Sequence, residues 1–254
     1  MMKKLSVIIC CYNEAATIEG VIERTRRVVL GPNWEREIII VDNYSTDGTR
    51  EILSEINEAD TTVIFHESNR GKGASIRTGI AAMSGDYMII QDADSEYDPA
   101  EHINFCQIAD ETGAAAIFGS RVLGGEVRYR YAHAYLGVRV LTTMTNILFG
   151  AKLTDVATAT KMVRGDIVQS LNLTCSGFDL DFELPDKILL SGNEILEIPI
   201  KYDPRTYAEG KKIRTTDGLK AMWIMFRDRL GLSPVLKPGL KEAAMRSDSV
   251  ENSV

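Results

Sequence analysis

The sequence predicts an α/β fold, with a mostly parallel sheet covered by helices on both faces. Three observations carry that expectation. Short apolar runs stand at residues 5–10, 37–41, 62–65, 87–91 and 114–118, each the length of a buried strand. Helical patterns separate them, which is the alternation of a largely parallel, doubly covered sheet. Polar clusters follow the runs directly, and such sheets bind ligands beyond the carboxyl ends of their strands.

In order along the chain, run 5–10 leads into Tyr12, Asn13 and Glu14 and an amphipathic helix over 15–29. Run 37–41 breaks at Asp42 into Asn43-Tyr44-Ser45-Thr46-Asp47-Gly48-Thr49, before a helix over 50–57. Run 62–65 is followed by Asn69-Arg70-Gly71-Lys72-Gly73 and a helix over 74–83. Run 87–91 stops at Asp92, and Asp94 and Glu96 continue the same spacing. Alternate residues of an extended chain share a face, so Asp92 and Asp94 can converge. Carboxylates waiting for substrate phosphates suit Mg²⁺ or Mn²⁺, and the competing reading is a solvated acidic turn. Asp98-Pro99-Ala100-Glu101 reads as an N-cap, a first-position proline and a capping-box glutamate, a structural role for Asp98. Run 114–118 ends in Gly119-Ser120-Arg121.

Past residue 124 the pattern changes. Residues 126–139 set Arg128, Arg130 and Arg139 among Tyr129, Tyr131 and Tyr135, and 140–151 is apolar. Leu153-Thr154-Asp155 forms another polar loop, a helix follows from 177 to 190, and 194–202 is a further strand. A basic loop holds Pro204, Arg205, Lys211 and Lys212, and an amphipathic helix over 219–230 carries Trp223, Phe226, Arg227 and Arg229. Two prolines, small residues and charges make 231–254 a flexible tail.

The 254 residues allow a sizeable core, and a net charge of −7 argues against a general nucleic-acid binder. Cys10, Cys11, Cys106 and Cys175 include no C-x-x-C pair, which points away from a disulfide framework or zinc knuckle and towards a reducing cytoplasm. Met1-Met2-Lys3-Lys4 opens no convincing signal sequence. No window approaches the ~18 apolar residues of a spanning helix, so the expectation is a soluble or membrane-peripheral chain. Gly71-Lys72 is not a P-loop, since residue 66 is His and residue 73 is Gly. His66, His102 and His133 form no helical zinc pair.

Read together, Cys11-Tyr12-Asn13-Glu14, the loop 41–49, Asn69 to Gly73, Gln91-Asp92-Ala93-Asp94, Gly119-Ser120-Arg121, Leu153-Thr154-Asp155 and the loop from Pro204 to Lys212 resemble the family 2 glycosyltransferases of the GT-A (Rossmann-like) fold. The closest likeness is to the polyprenol- and dolichol-phosphate hexose (mannose) synthases. The resemblance implies one domain over 1–230, with a nucleotide-sugar half (1–121) and an acceptor half (122–230). It implies that Tyr12, Glu14 and Asp42 hold the nucleoside, that Lys72 faces the diphosphate or ribose, and that Asp92, Asp94 and Glu96 form the metal site. Arg121 and Arg205 match positions that clamp an acceptor phosphate, with Arg139 and Lys211 as looser candidates, and Asp155 matches an acid near the anomeric carbon.

Each residue also has a plainer role open to it. Glu14 suits a first helical turn, Asp42 can cap its own loop, Lys72 can be solvated, and the arginines can form surface ion pairs. The 219–230 helix can lie on a membrane or pack its apolar face on the core. Cys11, Asn43, Glu96, Ala157 and Ala159 depart from the usual family residues. The implied activity is inverting, metal-dependent transfer of a hexose from a nucleotide-diphospho-sugar (GDP-mannose or a UDP-hexose) to a polyprenyl or dolichyl phosphate. The alternatives are the same fold serving a saccharide hydroxyl, or a non-catalytic nucleotide-sugar-binding subunit of a membrane complex. A membrane-protein partner or a homo-oligomer is compatible with either.

Overall fold

The computed structural model of the chain describes residues 2–124, 132–204 and 215–237. The strands are β1 (Lys3–Cys11), β2 (Trp34–Asp42), β3 (Thr61–Phe65), β4 (Tyr87–Asp92), β5 (Ala116–Ser120), β6 (Lys161–Arg164) and β7 (Ile195–Pro199). The helices are α1 (Ile18–Arg27), α2 (Thr49–Ser54), α3 (Lys72–Ala82), α4 (His102–Thr112), α5 (Ala132–Phe149), α6 (Gly165–Ser170), α7 (Leu180–Leu190) and α8 (Thr215–Arg229). The seven strands form one sheet in the order β3-β2-β1-β4-β6-β5-β7. All neighbours are parallel except β6, which runs antiparallel to β4 and β5.

The apolar runs are continuous because the sheet is buried on both sides. Leu5, Val7, Ile9, Ile38, Ile40 and Ile89 face one core with Ile18 and Val21 of α1 and Phe105 of α4. Ile8, Ile39, Val41, Met88 and Ile90 face the other, with Ile76 and Ile80 of α3 and Leu184 and Ile188 of α7. The chain winds from β1 through β2 to β3 on one side of the sheet and resumes on the other side of β1 with β4. A crevice therefore opens where the ends of β1 and β4 meet, at Cys10 opposite Asp92.

Strand β6 and helix α6 lie outside the sequence expectation. Lys161-Met162-Val163-Arg164 is short and charged at both ends, so nothing local marks it as a strand. It forms because Met162 and Val163 fill the gap between Ile89 and Met88 of β4 and Ile117 and Ala116 of β5. Asp98 keeps its structural role, accepting from the Ala100 amide at 3.0 Å ahead of a Pro99–Glu101 turn that leads into α4. Glu101 turns instead to Asn104, at 2.8 Å.

The glycines at 71 and 73 have a packing cause. A Cβ on Gly73 would stand 2.8 Å from the Gly177 carbonyl oxygen and 2.9 Å from that of Cys175. Gly71 has φ +89°, and a Cβ there would meet the Ser176 carbonyl oxygen at 2.3 Å. The start of α3 is thereby locked against the segment that introduces α7.

Candidate active site

The acidic rim begins where β4 ends. Asp92 is half-buried and its Oδ1 stands 2.8 Å from the Nζ of Lys72, the first residue of α3. The same ammonium is 3.8 Å from Asp181 Oδ2 on α7. Lys161 of β6, fully buried, donates to the Asp181 backbone oxygen at 2.8 Å and stands 3.3 Å from Asp181 Oδ1. Burial works to neutralise Lys72, but Asp181 and Asp92 outweigh it and hold its pKa above the ordinary lysine value. For Lys161 burial wins over Asp181, and its pKa is lowered. Lys72 is thus an ion-paired residue rather than a solvated one.

Asp94 is buried and accepts from the Glu96 amide at 3.0 Å, so it also orders the loop. Glu96 Oε2 accepts the Tyr202 hydroxyl at 3.0 Å. Among the described residues no three His, Cys, Asp or Glu side chains form a group able to hold a metal ion. The expected set of three carboxylates is therefore not assembled, and Glu96 turns to the tyrosine. Asp92 and Asp94 remain as hard oxygen donors. Two carboxylates fit a Mg²⁺ or Mn²⁺ ion that keeps waters and takes substrate phosphates at its other positions.

The neighbouring loops are tied to one another. Asp42 is fully buried, accepts from the amides of Tyr44 and Ser45, and pairs with Arg50 at 2.8 Å. It caps its own loop, as the plainer reading expects. Asn13 links the loops in both directions: its amide donates to Ser45 Oγ and its Oδ1 accepts from the Thr46 amide. Glu14 is buried at the turn before α1, where its Oε2 accepts from Thr17 Oγ1 and its amide donates to Thr49 Oγ1. Tyr12 stands half-buried on the same strand end. Tyr44 holds φ +68°, an outlier for a bulky residue, and leaves its ring 46% exposed beside Arg50.

At the end of β5 the structure joins two residues expected to act separately. Arg121 Nε and Nη2 meet Asp155 Oδ2 and Oδ1 at 2.6 and 2.7 Å, and the Arg121 amide adds a bond of 3.1 Å. Asp155 is wholly buried and Arg121 nearly so. Arg121 Nη1 also donates to the Tyr97 hydroxyl at 3.2 Å, and its guanidinium lies 5.0 Å from the Tyr202 ring centre. Glu197 of β7, unmarked by any sequence motif, accepts from the amides of Thr154 and Asp155 and so sets that loop. Burial raises the Glu197 pKa against those bonds. Arg139 of α5 is exposed, with Nη1 3.5 Å from the Thr154 carbonyl oxygen. Arg205 and Lys211 lie outside the described residues.

The two halves are contiguous. Tyr97, in the acidic loop, touches Arg121 and stacks at 5.1 Å on Tyr202, which in turn holds Glu96. Asp181 of α7 sits between two lysines. Its partner Lys161 lies on the strand that the sequence pattern does not mark.

A doubly covered sheet with an antiparallel strand beside β4, and an acidic loop leaving β4, define an α/β protein of the GT-A type. The chain belongs to glycosyl transferase family 2, whose profile matches residues 6–171. It is 26% identical over 204 residues to a low-salt glycan biosynthesis hexosyltransferase, Agl6, of Haloferax volcanii, covering 79% of this chain and 48% of that protein. It is 29% identical over 219 residues to a dolichol-phosphate mannosyltransferase of Pyrococcus furiosus, covering 82% and 59%. The chain thus spans about half the length of these relatives. Its fold matches glucosyl-3-phosphoglycerate synthase from Mycobacterium tuberculosis, solved with Mg²⁺ and uridine diphosphate, with TM-score 0.64 and 21% identity over 93% of this chain and 82% of that one.

Proposed function

We propose that the chain transfers a hexose, with inversion, from a nucleotide-diphospho-sugar to a polyprenyl phosphate. The observation that carries this reading is the Arg121–Asp155 pair. A hydroxyl acceptor needs a base near the anomeric carbon. Asp155, the acid at the matching position, has both oxygens taken by a guanidinium and no exposed surface. A phosphate acceptor is already ionised and needs no base. It needs cations to place it, which exposed Arg139 beside Thr154 supplies, with Arg121 behind it.

Asp92 and Asp94 would hold a divalent ion, which when bound neutralises charge on the departing nucleotide. The chain's own residues do the rest. The loops carrying Tyr12, Glu14 and Asp42 flank the nucleoside, Lys72 lies beside the diphosphate, and Arg139 stands with the Arg121–Asp155 pair on the acceptor's side.

A lipid-linked acceptor also agrees with the helix surfaces. Helix α8 buries Ala221, Ile224 and Met225 but exposes Leu219, Trp223 and Phe226, with exposed Leu230 just after it, while α5 exposes Leu136, Val140 and Ile147. Its inner face packs on the core while the outer stripe suits a membrane surface. No helix among the described residues is long and apolar enough to cross a membrane.

The test is to incubate the chain with Mn²⁺, GDP- and UDP-sugars and a short polyprenyl phosphate in vesicles, and to identify the glycolipid by mass. Asp94→Ala should lower turnover about a hundredfold or more, on the scale of losing one charge-stabilising contact. Its melting temperature should barely move. Undiminished transfer by this variant would remove Asp94 from the reaction, and transfer to a sugar hydroxyl alone would replace the lipid acceptor.

A further inference from the structure

The rim of the crevice holds two cations and two acids at close quarters. Lys72 sits 2.8 Å from Asp92 and 3.8 Å from Asp181. Lys161, with no exposed surface, stands 3.3 Å from the other oxygen of Asp181. The arrangement is built rather than incidental. Gly71 and Gly73 bring the start of α3 against the backbone of residues 175–177, and the Ala74 amide donates to the Ser176 oxygen at 3.0 Å. The Lys72 ammonium also lies 5.9 Å from the Phe178 ring centre, so its surroundings are set from the segment leading into α7 as well as from β4.

A cation and a bound lysine compete for the same carboxylate oxygen. Lys72 already holds Asp92 Oδ1, so a divalent ion that takes that oxygen displaces the ammonium. A mostly covered ammonium released without a partner is strongly disfavoured. From this we infer that Asp181 is a positioning residue that receives Lys72 when Asp92 is engaged by the metal–nucleotide complex. Lys161 holds Asp181 in place through its backbone oxygen and Oδ1, and the step from 3.8 Å to contact is within the reach of a side-chain rotation. Lys72 then stays charged beside the diphosphate instead of opposing the metal. This rests on the proposed divalent site at Asp92, and goes beyond it in assigning Lys72 and Asp181 to the loading of that site.

The test measures Mn²⁺ affinity by electron paramagnetic resonance, with the metal alone and with UDP, on the full chain. Lys72→Met removes the competitor, so Mn²⁺ alone should bind about tenfold tighter, a coupling typical of charged residues in contact. Asp181→Asn should weaken Mn²⁺ binding by about the same factor, and that effect should vanish in the Lys72→Met background. A lysine with a purely structural role would leave binding of the metal alone unchanged. If wild type binds Mn²⁺ with UDP and Lys72→Met binds Mn²⁺ alone no tighter, the handover is wrong and the metal site stands. If wild type takes up no Mn²⁺ even with UDP, the metal site itself fails, and the handover with it. Should Asp181→Asn not fold, Lys72→Met decides alone.

Discussion

Replacing Asp155 with Ala removes the carboxylate that meets the Arg121 guanidinium at both Nε and Nη2. The loss includes side-chain bonds of 2.6 and 2.7 Å and a backbone bond of 3.1 Å, in a place where Asp155 has no exposed surface. Breaking a buried ion pair from one side costs about 3–5 kcal/mol. Tyr97 and Tyr202 remain against the guanidinium and put the expectation at the lower end, about 3 kcal/mol. In a chain of this size each kcal/mol moves the melting temperature by about 2–4 °C, so a fall of ~6–12 °C is expected. Replacing both partners with apolar residues of similar volume, Arg121→Met with Asp155→Leu, should recover most of that loss, because no charge is left buried alone. Turnover should not recover, since the site has lost its buried cation. Thermal unfolding followed by circular dichroism, beside transfer assays on the same samples, reads both quantities. Additive losses in the double variant, or a single variant within about 2 °C of wild type, would refute the coupling argument.

Two further outcomes follow from other parts of the molecule. Burial and the neighbouring Asp228 push the Asp186 carboxyl up to about 8 from 3.8, and neither of its oxygens has a hydrogen-bond partner. The folded chain then keeps a proton that the unfolded chain has released, so this group's contribution to stability falls as pH rises between about 4 and 8. Glu183 acts at the other end: despite burial, bonds from Lys187 and Thr174 hold it at about 2, below its usual 4.5. Its contribution is present above the unfolded value and is lost as pH falls towards 2. Melting curves across this range should show Asp186→Asn flattening the alkaline limb and sparing the acid one; parallel curves would contradict the assignment. Gly73→Ala places a methyl 2.8–2.9 Å from two carbonyl oxygens and Leu180 Cβ. It should cost about 1–3 kcal/mol by overpacking and weaken UDP binding by displacing Lys72, measured by denaturation and calorimetry.

Much of the fold is legible in the residues themselves. The inner stretches of β1, β2 and β4 (residues 7–11, 38–41 and 87–90) are apolar because both faces are buried, and each gives way to polar residues at its carboxyl end. Asp98 and Pro99 mark a helix start by local chemistry alone. The site is legible only as a set of addresses. Asp42 reads as a ligand contact and also caps its own loop, and Glu96 reads as a third carboxylate and also accepts the Tyr202 hydroxyl. Arg121 and Asp155 look like two tools and are one pair. Glu197 carries no motif because its work is to hold two amides more than forty positions earlier in the chain.

Sequence alone determined every strand but β6, their polar endings and the family, because backbone burial and turn chemistry act over a few neighbouring residues. Tertiary structure alone decided the partners: Lys72 between Asp92 and Asp181, Lys161 beneath them, Arg121 on Asp155. The reason is physical. An ion pair depends on the distance between charges and on the water removed around them, and both are set by how β4, β6, α3 and α7 pack rather than by any spacing along the chain.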